Sequence, residues 1–121
     1  MPHSPQKYLA DILNSAEFLS TFVAGRPFSD YRSDRGFRSA VERELQIIGE
    51  AVLQLNRAAP VLACRISDIQ RIIGFRHVLV HGYDSVNPEV LWAVIHDKLP
   101  TLVREARALL DETERNGASQ A

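Results

Sequence analysis

Apolar residues recur every three or four positions along most of this chain, which is the spacing of one face of an α-helix. Four stripes of this kind follow one another, and we identify no strand. The second stripe consists of Phe37, Val41, Leu45, Ile48, Val52 and Leu55. Helices of this length joined by short connections pack as an up-down bundle. The sequence therefore predicts an all-α fold, an antiparallel bundle of four to five helices.

Capping residues mark where the first two helices begin. Ser4 is an N-cap with Pro5 at the first helical position, where the missing N–H of proline has no cost. Ser33 or Asp34 caps the second helix. We expect the residues before that cap, 26–32, to form a loop.

The third and fourth helices carry similar signals. Ser67 and Gln70 have the spacing of a capping box at the start of the third helix, which we expect to end near Gly82. Asn87 as the cap and Pro88 in the first turn start the fourth helix. The stripe predicted to be buried on the third helix is Ile69, Ile72, Ile73 and Val80.

The length of the chain suits one domain over residues 1–121, with a core of about 5–112 and a polar, flexible tail over 113–121. Gly49 inside the second helix permits another helix to approach closely. Pro100 inside the fourth helix predicts a kink or a restart.

The charge balance limits how the protein can bind nucleic acid. The formal net charge is −1, so the chain is not a strongly basic nucleic-acid binder, and any attraction to RNA must come from a few arginines in one cleft. Cys64 is the only cysteine, and neither a signal peptide nor a membrane-spanning segment is visible. We therefore expect a cytoplasmic protein.

The end of the third helix holds the residues that could carry chemistry: Arg76, His77, His81 and Tyr83. At about 100° per residue, Arg76 and His81 lie roughly 140° apart around a regular helix, whereas His77 and His81 share one face. Arg76 and His81 can therefore converge only if the arginine reaches around the helix, if the helix unwinds at Gly82, or if two copies of the chain meet.

Arginine and histidine are the groups that a metal-free ribonuclease needs. Histidine can take or give a proton near neutral pH, and arginine can hold a phosphate oxygen and neutralise the charge of the transition state. Tyr83 is either a ring packed at a helix end or an exposed hydroxyl that binds substrate or accepts a covalent group. In the simplest alternative, the histidines only satisfy the helix end.

A zinc site is a further alternative for the two histidines. His77 and His81 are four positions apart, as are the two histidines of a zincin helix, but no Glu stands between them. Cys64 and His96 are the only other soft ligands nearby in sequence. We therefore favour a site without metal or cofactor.

Residues 76–83 resemble the signature of HEPN-domain proteins, which is Arg, a polar residue, three further residues and His. The tyrosine two positions after the histidine makes this segment similar to the signature of the HepT-like subgroup. The resemblance extends over roughly residues 8–110. Its other parts are Asp34, residues 40–45 and 47–51, Trp92, Leu99 and Pro100.

The resemblance implies a dimer in which two pairs of Arg76 and His81 form one composite cleft. It implies metal-independent endoribonuclease activity, with His77 and Tyr83 in supporting or substrate-binding positions. Many relatives carry Asn where this chain has His77. The implied role is that of a toxin in a type VII-like toxin–antitoxin pair.

The antitoxin in such pairs is a minimal nucleotidyltransferase, which transfers AMP to the tyrosine of the motif, here Tyr83. The added bulk and negative charge would oppose the binding of RNA phosphates. An alternative interpretation is a non-catalytic subunit that binds a nucleotide or docks on the nucleotidyltransferase. The third interpretation is a plain structural helical dimer, in which His81 only satisfies a helix end.

Overall fold

The computed structural model describes residues 3–81 and 87–120, with side chains as far as residue 116. Every regular element in that part of the chain is a helix, and four of the six are long. The elements are α1 (Pro5–Val23), α2 (Phe28–Ser33), α3 (Arg35–Ala58), α4 (Pro60–Ala63), α5 (Ile69–His81) and α6 (Pro88–Gln120). The predicted all-α fold with about four main helices is confirmed.

Three of the long helices begin at the predicted caps. The side-chain oxygens of Ser4, Asp34 and Asn87 each accept a hydrogen bond from the backbone N–H three residues further on. The distances are 3.3, 3.0 and 3.1 Å in that order. These starts follow from local chemistry, because an N-cap satisfies a helix donor that has no other partner.

The predicted loop over residues 26–32 is wrong, because Phe28–Ser33 forms the short helix α2. Tyr31 in this helix is only 1% exposed, and its ring stacks on Trp92 with centroids 5.7 Å apart. Burial, and after it the neighbouring carboxylate of Glu42, raises the pKa of its hydroxyl. Burial of one aromatic ring therefore orders a segment whose local sequence reads as a loop.

The predicted capping box at the start of the third helix is also wrong. The backbone N–H and the hydroxyl of Ser67 donate to the carboxylate of Glu105, at 3.0 and 2.7 Å. Helix α5 starts two residues later at Ile69, after Asp68 with a φ of +58°. The Ser67 hydroxyl, which was expected to cap α5, therefore donates to Glu105 on α6 instead.

Helix α6 runs without interruption through Pro100 as far as Gln120, so no restart occurs. Leu99 and Leu102 on either side of the proline are buried, and this burial offsets the lost backbone hydrogen bond. Thr113, the first residue of the predicted tail, is buried too.

The core is formed mainly by α1, α3 and α6, with α1 packed against both of the others. Each fully buried leucine or isoleucine contributes about 1.5–3 kcal/mol. The fully buried aliphatic residues include Leu9, Ile12, Leu19, Val41, Val52, Leu55 and Leu91. None of the described helices is long and apolar enough to cross a membrane.

Helix α5 lies at the edge of this core and packs on α3. Leu79 is its only buried residue among those described, and Val80 is 43% exposed. The predicted buried stripe on this helix is confirmed only in part: Ile69, Ile72 and Ile73 pack against the core but are only partly buried, and Val80 is exposed. The helix that carries the candidate site keeps much of its apolar surface outside the core.

Candidate functional site

The C-terminal half of α5 carries the described candidate residues. Arg76 is partly buried, with 25% of its side chain exposed, and His77 and His81 are exposed. Tyr83, and Gly82 where we expect the helix to end, lie outside the described residues. All three described side chains are therefore accessible to a ligand.

Gly49 on α3 sets how closely α5 approaches. A methyl group in its place would clash with Cβ of Arg76 and would lie 3.3 Å from Cα of Arg76. The backbones of α3 and α5 are therefore almost in contact at this point. The predicted role of Gly49 is confirmed, and the residue it admits is Arg76 itself.

Arg76 forms an ion pair with Glu50, the neighbour of Gly49 on α3. The Nε atom of Arg76 lies 2.8 Å from Oε2 of Glu50, and both atoms are buried even though the Glu50 side chain is 46% exposed overall. The sequence predicts Glu50 only as a solvated or ion-paired helix residue. The ion pair is confirmed, but its partner was not foreseen.

Gln54, one turn further along α3, holds the other carboxylate oxygen of Glu50. Its Nε2 donates to Oε1 at 3.0 Å. This hydrogen bond, and after it the charge of Arg76, holds the pKa of Glu50 below its ordinary value, although partial burial opposes both. Glu50 is therefore ionised at neutral pH, as a salt bridge to Arg76 requires.

His77 and His81 stand side by side on one face of α5, as predicted from their spacing. Their ring centroids are 4.8 Å apart and the rings are tilted by 51°. Two exposed imidazoles this close can accept and donate protons in the same small volume.

The two histidines have no further metal ligand beside them in the described part of the chain. No group of three or more His, Cys, Asp and Glu residues there is arranged to hold a metal ion. Cys64 donates to the carbonyl of Val61, and Nδ1 of His96 lies 2.8 Å from the carbonyl of Trp92.

The structure connects Arg76 with Glu50 and connects His77 with His81. Among the described residues, no hydrogen bond or ion pair joins Arg76 to either histidine. Helix α5 is regular as far as His81, so the angular separation expected between Arg76 and His81 applies within one chain. The predicted unwinding at Gly82 lies outside the described residues.

A small polar hollow lies beside the end of α5. Its volume is about 270 Å³, and it is formed by Leu79 of α5 together with Ser39, Glu42, Arg43 and Gln46 of α3. Arg43 is exposed and makes no ion pair with any described residue.

A larger groove of about 670 Å³ separates α5 from α6. Apolar side chains form most of its walls: Leu45, Ile48, Ile72, Phe75, Val78, Val90, Val94 and Leu102. Charged residues stand along its rim, where Lys98 pairs with Asp68 at 3.2 Å. The apolar surface of α5 that the core leaves uncovered therefore faces this groove.

The fold and the site together define a small all-α protein with an anchored arginine and paired histidines on a peripheral helix. The family model described as "Ribonuclease HepT-like" matches residues 12–109. The chain therefore belongs to the HepT-like ribonuclease family, as residues 76–83 suggested.

Curated relatives agree with this assignment. The chain is 33% identical over 109 residues to a candidate RNase of Caldanaerobacter subterraneus, covering 90% of this chain and 96% of that protein. It is 31% identical over 106 residues to the probable ribonuclease HepT of Thermococcus cleftensis, covering 84% and 92%. A candidate RNase of Methanocaldococcus jannaschii is 27% identical over 112 residues, and the match covers 88% of each of the two chains. No solved structure matches.

Proposed function

We propose that this protein is a metal-independent endoribonuclease and the toxin of a type VII-like toxin–antitoxin pair. One observation carries the proposal: α5 presents an anchored, partly exposed Arg76 on the same helical segment as two exposed histidines in contact with each other. This arrangement supplies a fixed cation and proton-transfer groups, and the relatives named as RNases support RNA as the substrate.

The chemistry follows from these groups. A neutral imidazole accepts the proton of a ribose 2′-OH, and the 2′-oxygen forms a bond to the adjacent phosphorus. The bond from phosphorus to the 5′-oxygen breaks, and a protonated imidazole donates to that oxygen. Arg76 neutralises the extra negative charge while five oxygens surround the phosphorus. The products are a 2′,3′-cyclic phosphate and a 5′-hydroxyl.

We assign the central histidine role to His81 and a supporting role to His77. A second copy of the chain solves the problem that Arg76 and His81 point apart on one helix, because a dimer brings two of each residue together. The apolar groove between α5 and α6, with Val90 at its edge 55% exposed, is a surface that a second copy can bury next to the site, although Arg76, His77 and His81 do not line it.

The partner in the proposed pair is a minimal nucleotidyltransferase that transfers AMP to Tyr83. Tyr83 is two residues beyond His81 in sequence, so an attached AMP would add bulk and a phosphate charge to the segment that carries the site. That charge would repel the RNA backbone and switch the nuclease off.

The test is cleavage of RNA by purified protein in the presence of EDTA. We expect wild-type protein to cut RNA and to leave cyclic phosphate ends, and His81→Ala to lower the rate by roughly 10²–10⁴-fold. His96→Ala on α6 is the matched control and should cleave like wild type. Co-expression with the nucleotidyltransferase should add one AMP and stop cleavage. Wild-type protein that leaves RNA intact, or His81→Ala that cuts it normally, contradicts the proposal.

A second candidate is a non-catalytic subunit that binds a nucleotide or docks on the nucleotidyltransferase. The ion pair between Glu50 and Arg76 favours it, because a nearby carboxylate reduces the net positive charge that RNA meets. Tight binding of AMP or ATP by unmodified protein without RNA turnover would identify this function.

A further inference from the structure

Glu50 contacts the guanidinium of Arg76 on its Nε side. The ion pair joins Oε2 of Glu50 to Nε of Arg76 at 2.8 Å. Within the described residues, the terminal Nη atoms of Arg76 form no hydrogen bond. Arginine carries five N–H donors in a fixed plane, so holding Nε leaves the four donors of the Nη edge for a ligand.

The Nη edge is the one that matches two oxygens of a phosphate group. If Nε is fixed, the direction in which that edge points is fixed as well. The rest of the side chain is restrained too, because Cα and Cβ of Arg76 pack against Gly49. The long, flexible arginine is thus anchored at both ends, at its backbone and at its guanidinium.

Glu50 is itself restrained. Gln54 donates to Oε1 at 3.0 Å, so the carboxylate cannot rotate away from Arg76 without losing that hydrogen bond. The chain of contacts from Gln54 through Glu50 to Arg76 runs from α3 to α5, and its last link is buried from solvent.

We propose that Glu50, oriented by Gln54, is a positioning residue that aims the Nη edge of Arg76 at the scissile phosphate of RNA. The proposal rests on the ribonuclease function proposed above. It differs from a plain structural ion pair in what it predicts. Only the two contacting atoms are buried, whereas 46% of the Glu50 side chain and 25% of the Arg76 side chain are exposed, so water can solvate either group when the other is changed. Removing the Glu50 charge should therefore alter turnover far more than folding.

The experiment compares Glu50→Gln with Glu44→Gln, a substitution of the same kind on α3 at a position with no contact to Arg76 among those described. We expect Glu50→Gln to lower kcat by roughly 10–100-fold, because a misplaced catalytic group costs about that much. KM should change by less than about threefold and the melting temperature should stay close to that of wild type. Glu44→Gln should keep both constants. Glu50→Ala, measured in parallel, should lose at least as much kcat.

An NMR measurement reads the position of Arg76 without reference to activity. The Nε–H of an arginine bound to a carboxylate gives a resolved, slowly exchanging signal, and its absence in Arg76→Lys identifies it. We expect that signal to shift and exchange faster in Glu50→Gln and to remain in Glu44→Gln. A signal that is unchanged in Glu50→Gln overturns the inference.

The kinetic outcomes separate this inference from the proposed function. If wild-type protein cleaves RNA, Arg76→Ala does not, and Glu50→Gln keeps the wild-type kcat, the positioning role is overturned and the ribonuclease stands. If wild-type protein cleaves no RNA, the ribonuclease is overturned, and the positioning role falls with it.

Discussion

At the scale of single residues, two partly exposed carboxylates on α3 show how surroundings set ionisation. Glu50 is stabilised as an anion by Gln54 and Arg76, so its pKa is lowered. Burial raises the pKa of Glu42, while the Tyr31 hydroxyl and Arg38 oppose the rise. The same residue type on the same helix is therefore used once to anchor a cation and once to support a buried aromatic ring.

The raised pKa of Glu42 gives a prediction about stability and pH. Below the ordinary pKa of about 4.5, Glu42 is protonated in both folded and unfolded chains, and its burial carries no charge penalty. As the pH rises past that value, the unfolded chain ionises first and the folded state loses stability. We expect Glu42→Gln to raise the melting temperature at pH 7 and to have much less effect at pH 4.

Thermal unfolding followed by circular dichroism at both pH values measures this effect. Glu44→Gln, the same substitution two positions further along α3, is the matched control. A melting temperature of Glu42→Gln that falls at pH 7, or that rises equally at both pH values, contradicts the prediction.

Sequence alone identified Arg76, His77 and His81 but not the contact that holds Arg76. A capping residue acts on an N–H three positions away, so it can be read locally. Glu50 and Arg76 are 26 positions apart, and their pairing depends on how α3 and α5 pack. The one usable signal was Gly49 in the middle of a helix. It predicted that another helix approaches closely, but it did not indicate that Arg76 is the residue in contact.

At the scale of elements, the contact between α3 and α5 decides where the candidate site lies. Long helices with local caps were predictable, whereas α2 and the start of α5 were not. Tyr31 and Ser67 explain the difference, because each is fixed by a contact with α6 that no local pattern encodes. Where tertiary contacts decide a boundary, a single sequence gives little warning.

Gly49→Ala tests the close approach of α5 to α3. Alanine improves helix propensity by about 1 kcal/mol, but its methyl group clashes with Arg76, and overpacking of this kind costs about 1–3 kcal/mol. We expect a net loss of stability of up to about 2 kcal/mol, accompanied by a loss of RNA cleavage as Arg76 is displaced from Glu50.

Urea unfolding at equilibrium measures the stability change. Gly36→Ala on the same helix is the control, because a methyl group there meets only ordinary contact at 3.5 Å and should leave the protein unchanged or slightly stabilised. Gly49→Ala that is as stable and as active as Gly36→Ala would show that α5 can shift outward without consequence.

At the scale of the whole molecule, the groove between α5 and α6 is the feature most in need of a partner. The groove has a volume of about 670 Å³ and mainly apolar walls, and it lies beside the uncovered face of α5. A second copy of the chain would bury a surface of this kind. In the proposed dimer this contact also brings the two active helices together, so assembly and activity would be linked.

Val90→Glu tests the dimer. Val90 lines the groove in the first turn of α6, where a negative charge suits the helix N-terminus, so the monomer should fold normally. We expect the dimer dissociation constant to rise by at least roughly tenfold, because an interface with an unpaired buried charge loses more than about 1.4 kcal/mol.

Light scattering after gel filtration over a range of concentrations gives the dissociation constant, and RNA cleavage should fall in step with the dimer. Val61→Glu on α4 is the control, since Val61 is 78% exposed and outside the groove. Equal dimerisation of Val90→Glu and Val61→Glu would place the interface elsewhere.

The peripheral position of α5 has an evolutionary consequence. The core of the molecule is formed mainly by α1, α3 and α6. Among the described residues of α5, only Leu79 is buried in that core. The outer side of α5 can therefore accept substitutions that would be lethal to folding elsewhere. Under the proposed function, related proteins with this bundle can differ in the RNA that they recognise through changes on α5, while α1, α3 and α6 stay the same.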